Sequence, residues 1–218
     1  EEKIGTTRTG NGPAYRDKYG RTGVRASDIP ELQHFLIDIY EELSGETTIL
    51  MEGAQGFWLD PDWGDYPYVT SSHTGTAAAI QNGINPRSIR NVWGVVKAYE
   101  TYVGGREFQP SDEVFNLIQQ VGQEFGATTG RVRQCNWLNV RETQRAIAMN
   151  GVNRLIVNKM DVLRKLDAWG TTEGRVHGER HFRDHLTQQF GTSTGIDKIY
   201  FSDNPRTIHD ESGLTVAA

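Results

Sequence analysis

The sequence holds one cysteine, Cys135, in 218 residues, so no disulfide can close within the chain and a thiolate-based zinc site lacks its ligands. Basic charge is in deficit, with 23 Lys and Arg against 28 Asp and Glu. No basic stripe is left to neutralise a phosphate backbone, which argues against nucleic-acid binding. Long apolar runs are missing as well. Stretches such as residues 48–51 and 92–96 fall far short of the roughly 20 residues that a membrane helix needs. No membrane partner is expected. A basic start followed by an apolar segment, the mark of a secretory leader, is also lacking, and the chain opens on Glu1 and not on Met. Together these features lead us to expect a soluble, cytoplasmic protein from which an amino-terminal piece is missing.

What is present is alternation, and the length suits one domain spanning residues 1–218. Asp28 and Pro30 have the character of a helix start, and Leu32, Phe35, Leu36, Ile39, Tyr40 and Leu43 recur as one buried helical face would, up to a stop at Ser44-Gly45. Residues 47–51 read as a buried strand that feeds a glycine-containing loop. Residues 92–99 read as a second strand, 111–125 and 141–150 as helices, 155–157 and 199–201 as short strands, and 180–190 as a helix between them. This order predicts an α/β fold, a mostly parallel central sheet flanked by helices, with ligands held beyond the carboxyl ends of the strands. The irregular stretches 55–75, 104–110 and 168–178 are candidates for functional loops.

Four segments carry chemistry. The opening IGTTRTGNGPAYRDKYGRTG joins glycines and hydroxyls to Arg8, Lys18 and Arg21, a composition suited to a nucleotide phosphate and equally to a solvated loop; its spacing is not that of a Walker loop. ILMEGAQGFWLDPDWGDYPYVTSSHTG places Gln55 between glycines. Its amide offers a donor and an acceptor, as a purine 6-oxo group and its ring nitrogen require, and Thr70 can add a phosphate contact. The aromatics of the same loop also read as an anchor onto the core.

In FGATTGRVR, Arg131 and Arg133 fall on one side of an extended chain beside the hydroxyls of Thr128 and Thr129, a receptor for a small dicarboxylate or a phosphate, or a pair of surface arginines. RLIVNKMD ends a strand on Asn158, Lys159 and Asp161, where a carboxylate can accept from both N1–H and the exocyclic amine of guanine, donors that adenine lacks. FSDNPRT can close over the same base through Ser202 and Asn204. His177, His181 and His185 share a spacing that suits a metal, but Gly178, Arg180 and Arg183 lie among them, and a solvated helix face is the better account.

In this order EGAQG, YPYVTSS, KAYETYVGG, FGATTGR and KMDVL resemble the adenylosuccinate synthetase family from Ile4 to about Leu166, with a weaker return near residues 199–206. The resemblance implies a P-loop-NTPase-like ligase that joins L-aspartate to the 6-position of IMP with GTP as co-substrate and Mg²⁺ as cofactor, through a 6-phosphoryl intermediate. It implies that Thr7, Lys18, Arg21, Gln55, Thr70 and Arg131 bind IMP, with Gln55 orienting the reacting 6-position as the catalytic residue. Aspartate would be held by Val103, Ala127, Thr128, Thr129, Gly130, Arg131 and Arg133, and GTP by Arg133, Lys159, Met160, Asp161, Ser202, Asp203 and Asn204.

The resemblance further implies a homodimer in which Arg21 reaches the partner's site, and no metal ligand within this segment. The family's phosphate loop, with its aspartate base and magnesium ligand, and its histidine acid are absent from these residues, so this polypeptide by itself is expected to be inactive. Three departures stand out: a short connection between Arg21 and Glu52 with a shortened piece after Asp161, Thr9 where many members carry a basic residue, and SDNP in place of STGP. The compactness suits archaeal and viral members. Two other functions fit the same motifs: the viral branch that aminates dGMP, and a non-catalytic GTP-binding or purine-nucleotide-binding module.

Overall fold

The computed structural model describes residues 4–43, 48–126, 130–191 and 195–216. The chain forms two compact units, one of residues 6–89 and one of residues 90–218 that also takes in residues 4–5.

The first unit contains three short helices, α1 (Asn11–Gly20), α2 (Ile39–Glu42) and α3 (Ala77–Gln81), along with 3-10 turns at Ala26–Asp28, Pro30–Phe35, Phe57–Leu59 and Pro86–Ser88. It differs from the sequence expectation in two places. The predicted continuous helix is broken into a 3-10 segment, an extended stretch at 36–38 and a single turn of α2. Asp28 ends a 3-10 turn, where its carboxylate accepts from the Arg25 amide at 2.9 Å, and does not cap a following helix. The predicted apolar face is largely in the open, with Phe35 69 % and Tyr40 81 % exposed. Residues 48–51 form no strand, and Leu50 is 90 % exposed. Both errors share a cause, because apolar periodicity yields a buried face only where a second surface covers it, and among the described residues of this unit only Asp60 is buried. The predicted stop at Ser44-Gly45 and the strand residue Thr47 lie outside the described residues.

The second unit carries the core. Its strands are β1 (Trp93–Lys97), β2 (Tyr99–Tyr102), β3 (Gln134–Trp137), β4 (Arg154–Asn158), β5 (Gly170–Thr171), β6 (Gly174–Arg175), β7 (Lys198–Asn204), β8 (Thr207–His209) and β9 (Thr215–Val216). Its helices are α4 (Glu113–Val121), α5 (Val140–Asn150), α6 (Met160–Leu166) and α7 (Gly178–Gly191). The main sheet runs β1-β4-β7-β8-β9, parallel between β1, β4 and β7 and antiparallel beyond, so the mostly parallel sheet flanked by helices is found as expected. β1 ends the sheet, with Val95 64 % exposed. The single strand predicted at 92–99 is two, separated at the fully buried Ala98, because β2 leaves the main sheet to pair with β3.

Each helix forms for local reasons. Asp112 accepts from the Val114 amide at 3.0 Å and starts α4, and Asn139 accepts from the Glu142 amide at 3.1 Å and starts α5; such caps contribute about 1 kcal/mol each. Phe115 and Ile118 on α4, Val140, Thr143 and Ile147 on α5, and Phe182, Leu186 and Phe190 on α7 recur at helical spacing and turn to the core. They meet Leu155 and Val157 of β4 and Ile199 and Phe201 of β7, each burial contributing about 1.5–3 kcal/mol before chain entropy is subtracted. The register sets Lys97 beside Asn158 and Val157 beside Phe201, so the carboxyl ends of three parallel strands lie along one edge of the sheet.

Candidate functional site

At that edge β1 ends on Lys97, β4 runs into Lys159, and the loop after α4 brings in Glu124. Glu124 is 1 % exposed and takes three cations. Lys97 Nζ stands 2.8 Å away, Arg133 Nη1 3.0 Å and Lys159 Nζ 3.8 Å, while Tyr99 donates its hydroxyl at 2.7 Å. Burial opposes the charge on this carboxyl, but the hydrogen bonds from Lys97, Tyr99 and Arg133 outweigh it and hold the group below the usual carboxylate range. Burial likewise lowers the Lys97 ammonium; Glu124 raises it, and the positive neighbours Arg133 and Lys159 lower it again. Burial and Glu124 both push the Tyr99 phenol upward.

Local backbone shapes this cluster. Gly122, the C-cap of α4, lies where a Cβ would collide with the Tyr99 hydroxyl, so only glycine leaves that hydrogen bond intact. Lys159 takes φ 63°, a conformation rare for residues other than glycine, and is held there as its Nζ donates to the Gly122 carbonyl at 2.8 Å.

On either side of the predicted aspartate segment the described residues pair as the arms of a hairpin. Phe125 bridges Val132, and the Arg133 amide donates to the Glu124 carbonyl at 2.9 Å. Val132 is exposed while Arg131 and Arg133 are half-buried, so the two arginines share a face as the spacing predicted. Arg131 Nη1 donates to the Gly5 carbonyl at 2.6 Å, and the Gly105 amide donates to Ile4 at 3.2 Å. Gly5 has φ 71° and a Cβ there would come within 2.9 Å of the Gly105 nitrogen, so this close approach requires glycine. Arg131, Gly5 and the turn that begins at Val103 are thus brought together. Gly130 closes the hairpin with φ 64°, and Ala127, Thr128 and Thr129 lie outside the described residues.

The predicted guanine element divides by role. Asp161 sits in the first turn of α6 with Lys165 Nζ 3.4 Å away, whereas the Met160 side chain is fully buried in the core and leaves only its backbone to a ligand. Ser202 Oγ lies 2.6 and 2.8 Å from the carbonyls of Asn204 and Thr207, and Asn204 Oδ1 accepts from the Arg206 and Thr207 amides, so both shape the β7–β8 turn. Asp203 meets Arg164 Nη1 at 2.9 Å, and the same guanidinium grips Glu179 of α7 at 2.6 and 2.8 Å. Arg164 lowers both carboxyls, which ties α6, α7 and β7 together.

In the first unit, Asn11 Nδ2 at the start of α1 donates to Thr70 Oγ1 at 3.0 Å, which joins the opening glycine-rich loop to the VTSS segment. The Thr7 and Thr9 hydroxyls are 3.0 Å apart, Lys18 Nζ lies 5.5 and 5.6 Å from the ring centroids of Tyr15 and Tyr19, and Arg21 caps α1 at φ 60°. Gln55 is exposed with φ 62°. The loop that carries it hangs on Asp60, 2 % exposed, whose oxygens accept from the Asp62 and Thr74 amides at 2.9 Å each.

Asp60, Asp62 and His73 gather donor atoms within 4.8 Å of one another, the one such group among the described residues. It does not fit Mg²⁺, which prefers an all-oxygen octahedron, because one donor is an imidazole and both Asp60 oxygens already accept amides. The three histidines do not form a metal site, and His181 Nδ1 instead lies 2.8 Å from the His177 carbonyl.

Glu124, Lys97, Tyr99 and Asp60 were missed by the sequence reading. A charged residue made central by long-range packing carries no local signature; only the odd placement of Lys97 at the end of an apolar strand hinted at it.

Comparison with known proteins bears on this arrangement. The family model for adenylosuccinate synthetase matches residues 30–189. Adenylosuccinate synthetase of Chlorobium phaeobacteroides is 38 % identical over 213 residues, covering 75 % of this chain and 49 % of the relative. That of Desulforudis audaxviator is 38 % identical over 261, covering 97 % and 60 %. That aligned length exceeds the whole of this chain, so the relative carries insertions that this chain lacks.

Among solved structures, the fully ligated adenylosuccinate synthetase of Plasmodium falciparum superposes with a TM-score of 0.62 at 29 % identity, over 73 % of this chain and 49 % of that one. A cyanophage S-2L succinoaminodeoxyadenylate synthetase bound to dGMP and dATP gives 0.67 at 20 % identity, over 95 % and 60 %, a likeness of fold. The chain spans about half the length of the curated relatives it matches. By the family match and the identity to these relatives, the chain belongs to the adenylosuccinate synthetase family.

Proposed function

We propose that this chain forms part of a ligase that joins L-aspartate to the 6-position of IMP at the expense of GTP. The observation that carries the reading is the meeting of Arg133, from the aspartate hairpin, and Lys159, from the guanine element, on one carboxylate at the carboxyl ends of parallel strands. Residues assigned to different substrates would thereby share one locus. In this reading residues 1–218 belong to a single catalytic domain, and a second copy completes the site through Arg21.

The chemistry runs in two steps. The N1 proton of IMP passes to a base as the 6-oxygen attacks the γ-phosphorus of GTP, and the bond from that phosphorus to the bridging oxygen breaks to release GDP. The amine of aspartate then adds at C6 and phosphate leaves with the former 6-oxygen; the proton lost from nitrogen passes to solvent or a base. Gln55 would orient the 6-position through its amide, Thr7 and Thr70 would hold the monophosphate with Lys18 and Arg21, and the Arg131 and Arg133 forks would take the aspartate carboxylates. Asp161 would accept from guanine N1–H and the 2-amine, with Ser202, Asp203 and Asn204 closing over the base. The protein's contribution is positioning and charge neutralisation. Mg²⁺, which would neutralise phosphate charge, would take its ligands from outside the described residues.

The test is an assay of the complete protein with IMP, GTP and aspartate, with IMP carrying ¹⁸O at the 6-position. Adenylosuccinate forming together with labelled phosphate supports the reading. Turnover with dGMP and not IMP would place the protein beside the cyanophage enzyme. GTP binding without aspartate-dependent phosphate release would make it a nucleotide-binding module.

A further inference from the structure

We infer that Glu124 is a positioning residue that sets the aspartate hairpin and the guanine-reading turn in one geometry, gripping Arg133 and Lys159 from a single buried carboxylate. The inference rests on the proposed reading of Arg133 and Lys159 as ligand-binding groups. It adds a residue that touches neither substrate and acts through both.

The grip is made at several points. On the hairpin side, Glu124 accepts from the Arg133 amide with its carbonyl at 2.9 Å and from Arg133 Nη1 with its carboxylate at 3.0 Å. Arg133 is therefore fixed at both ends of its side chain. On the other side, the same turn holds Lys159 through the Gly122 carbonyl at 2.8 Å and the Glu124 carboxylate at 3.8 Å. Lys97, at the end of β1, takes the remaining approach at 2.8 Å and anchors itself to Thr101 Oγ1 at 2.9 Å. Tyr99 donates from β2. With 1 % exposure the carboxylate has almost no water to replace a lost partner, and three cations would repel one another without it. Arg133 and Lys159 keep their places because Glu124 is an anion of the right length.

The test uses the complete protein with Glu124→Gln, Glu124→Asp and the double variant Glu124→Gln/Lys97→Met. Glu124→Gln is expected to raise KM for both GTP and aspartate by roughly tenfold or more and KM for IMP by less, about threefold, because Arg131 alone of the gripped segment is assigned to IMP, with a smaller loss in kcat. Glu124→Asp, which keeps the charge one methylene shorter, should recover part of that loss. The double variant removes one excess cation with the anion, so its melting temperature should return toward the parent while both KM values stay high. KM values that recover along with the melting temperature, or a rise in KM for IMP equal to the others, would overturn the inference and leave Glu124 a structural residue.

A second readout does not depend on turnover. The lysines are labelled with ¹³C and ¹⁵N and their Cε–Nζ signals followed by NMR against pH, with Tyr99, Cys135, Arg133 and the two lysines as the groups that face Glu124. Glu124→Gln is expected to move the Lys97 and Lys159 signals, with the Lys97 titration falling to lower pH; unmoved signals would also overturn the inference. A parent protein that shows these couplings but does not consume IMP, GTP and aspartate would sink the functional reading, and the role assigned to Glu124 with it.

Discussion

Tyr99 donates its phenol to the Glu124 carboxylate at 2.7 Å, and the space for that bond exists because residue 122 has no side chain. Gly122→Ala is expected to force the two apart and to destabilise the protein by about 2–3 kcal/mol. Tyr99→Phe, which removes the hydroxyl but leaves the carboxylate its cations, should cost only about 1 kcal/mol. Urea denaturation of both variants checks the order, and the reverse order would contradict this account of residue 122.

Acid should act through the same carboxylate. Burial works against the Glu124 charge, its cations and Tyr99 prevail, and the folded value lies below the unfolded one; Arg164 does the same for Glu179 and Asp203. A depressed carboxyl contributes stability that is fully present above its unfolded value, about 4, and is lost as pH falls through its folded value. The stability that these three carboxyls contribute should therefore be fully present at neutral pH and be lost as pH falls below about 4. Glu124→Gln should be less stable at neutral pH and show a shallower acid limb, and Arg164→Met should narrow its deficit as pH drops. Denaturant titrations at pH 7 and pH 3.5 measure both; an Arg164→Met deficit unchanged by acid would contradict the pairing.

If Asp161 reads guanine, Asp161→Asn should invert base choice. An amide in that place offers a donor where xanthine has a 2-oxo acceptor, so KM for GTP should rise on the order of 100-fold while xanthosine triphosphate becomes the better donor. Competition between the two triphosphates in the complete protein decides it. Equal loss of both would remove Asp161 from the base.

Cys135 is fully buried, and burial with the nearby Glu124 charge pushes its thiol up to about 12. Iodoacetamide at pH 8 should leave the native thiol unmodified and label it promptly in urea. Rapid native labelling would indicate that β3 opens on a short timescale.

Where a segment's partners lie in the second unit, the letters were sufficient. The helices read at 141–150 and 180–190 correspond to α5 and α7, and the strands at 155–157 and 199–201 to β4 and β7, because periodicity there matches a core that exists. The same reasoning failed at Leu36 and Leu50, whose apolar character has no covering surface within its own unit. The pairing of Arg131 with Arg133 on one face was legible from their spacing. Glu124 was not, since an acid between a glutamine and a phenylalanine looks like a loop residue until Lys97 and Lys159 arrive from 27 and 35 positions away.

Among the described residues Trp93–Lys97 pairs with β4 alone in the main sheet, and Val95 is exposed. A strand paired on one side is a template for one more extended segment on its other flank, so whatever lies against that flank in the complete protein is expected to add to the sheet by backbone hydrogen bonds.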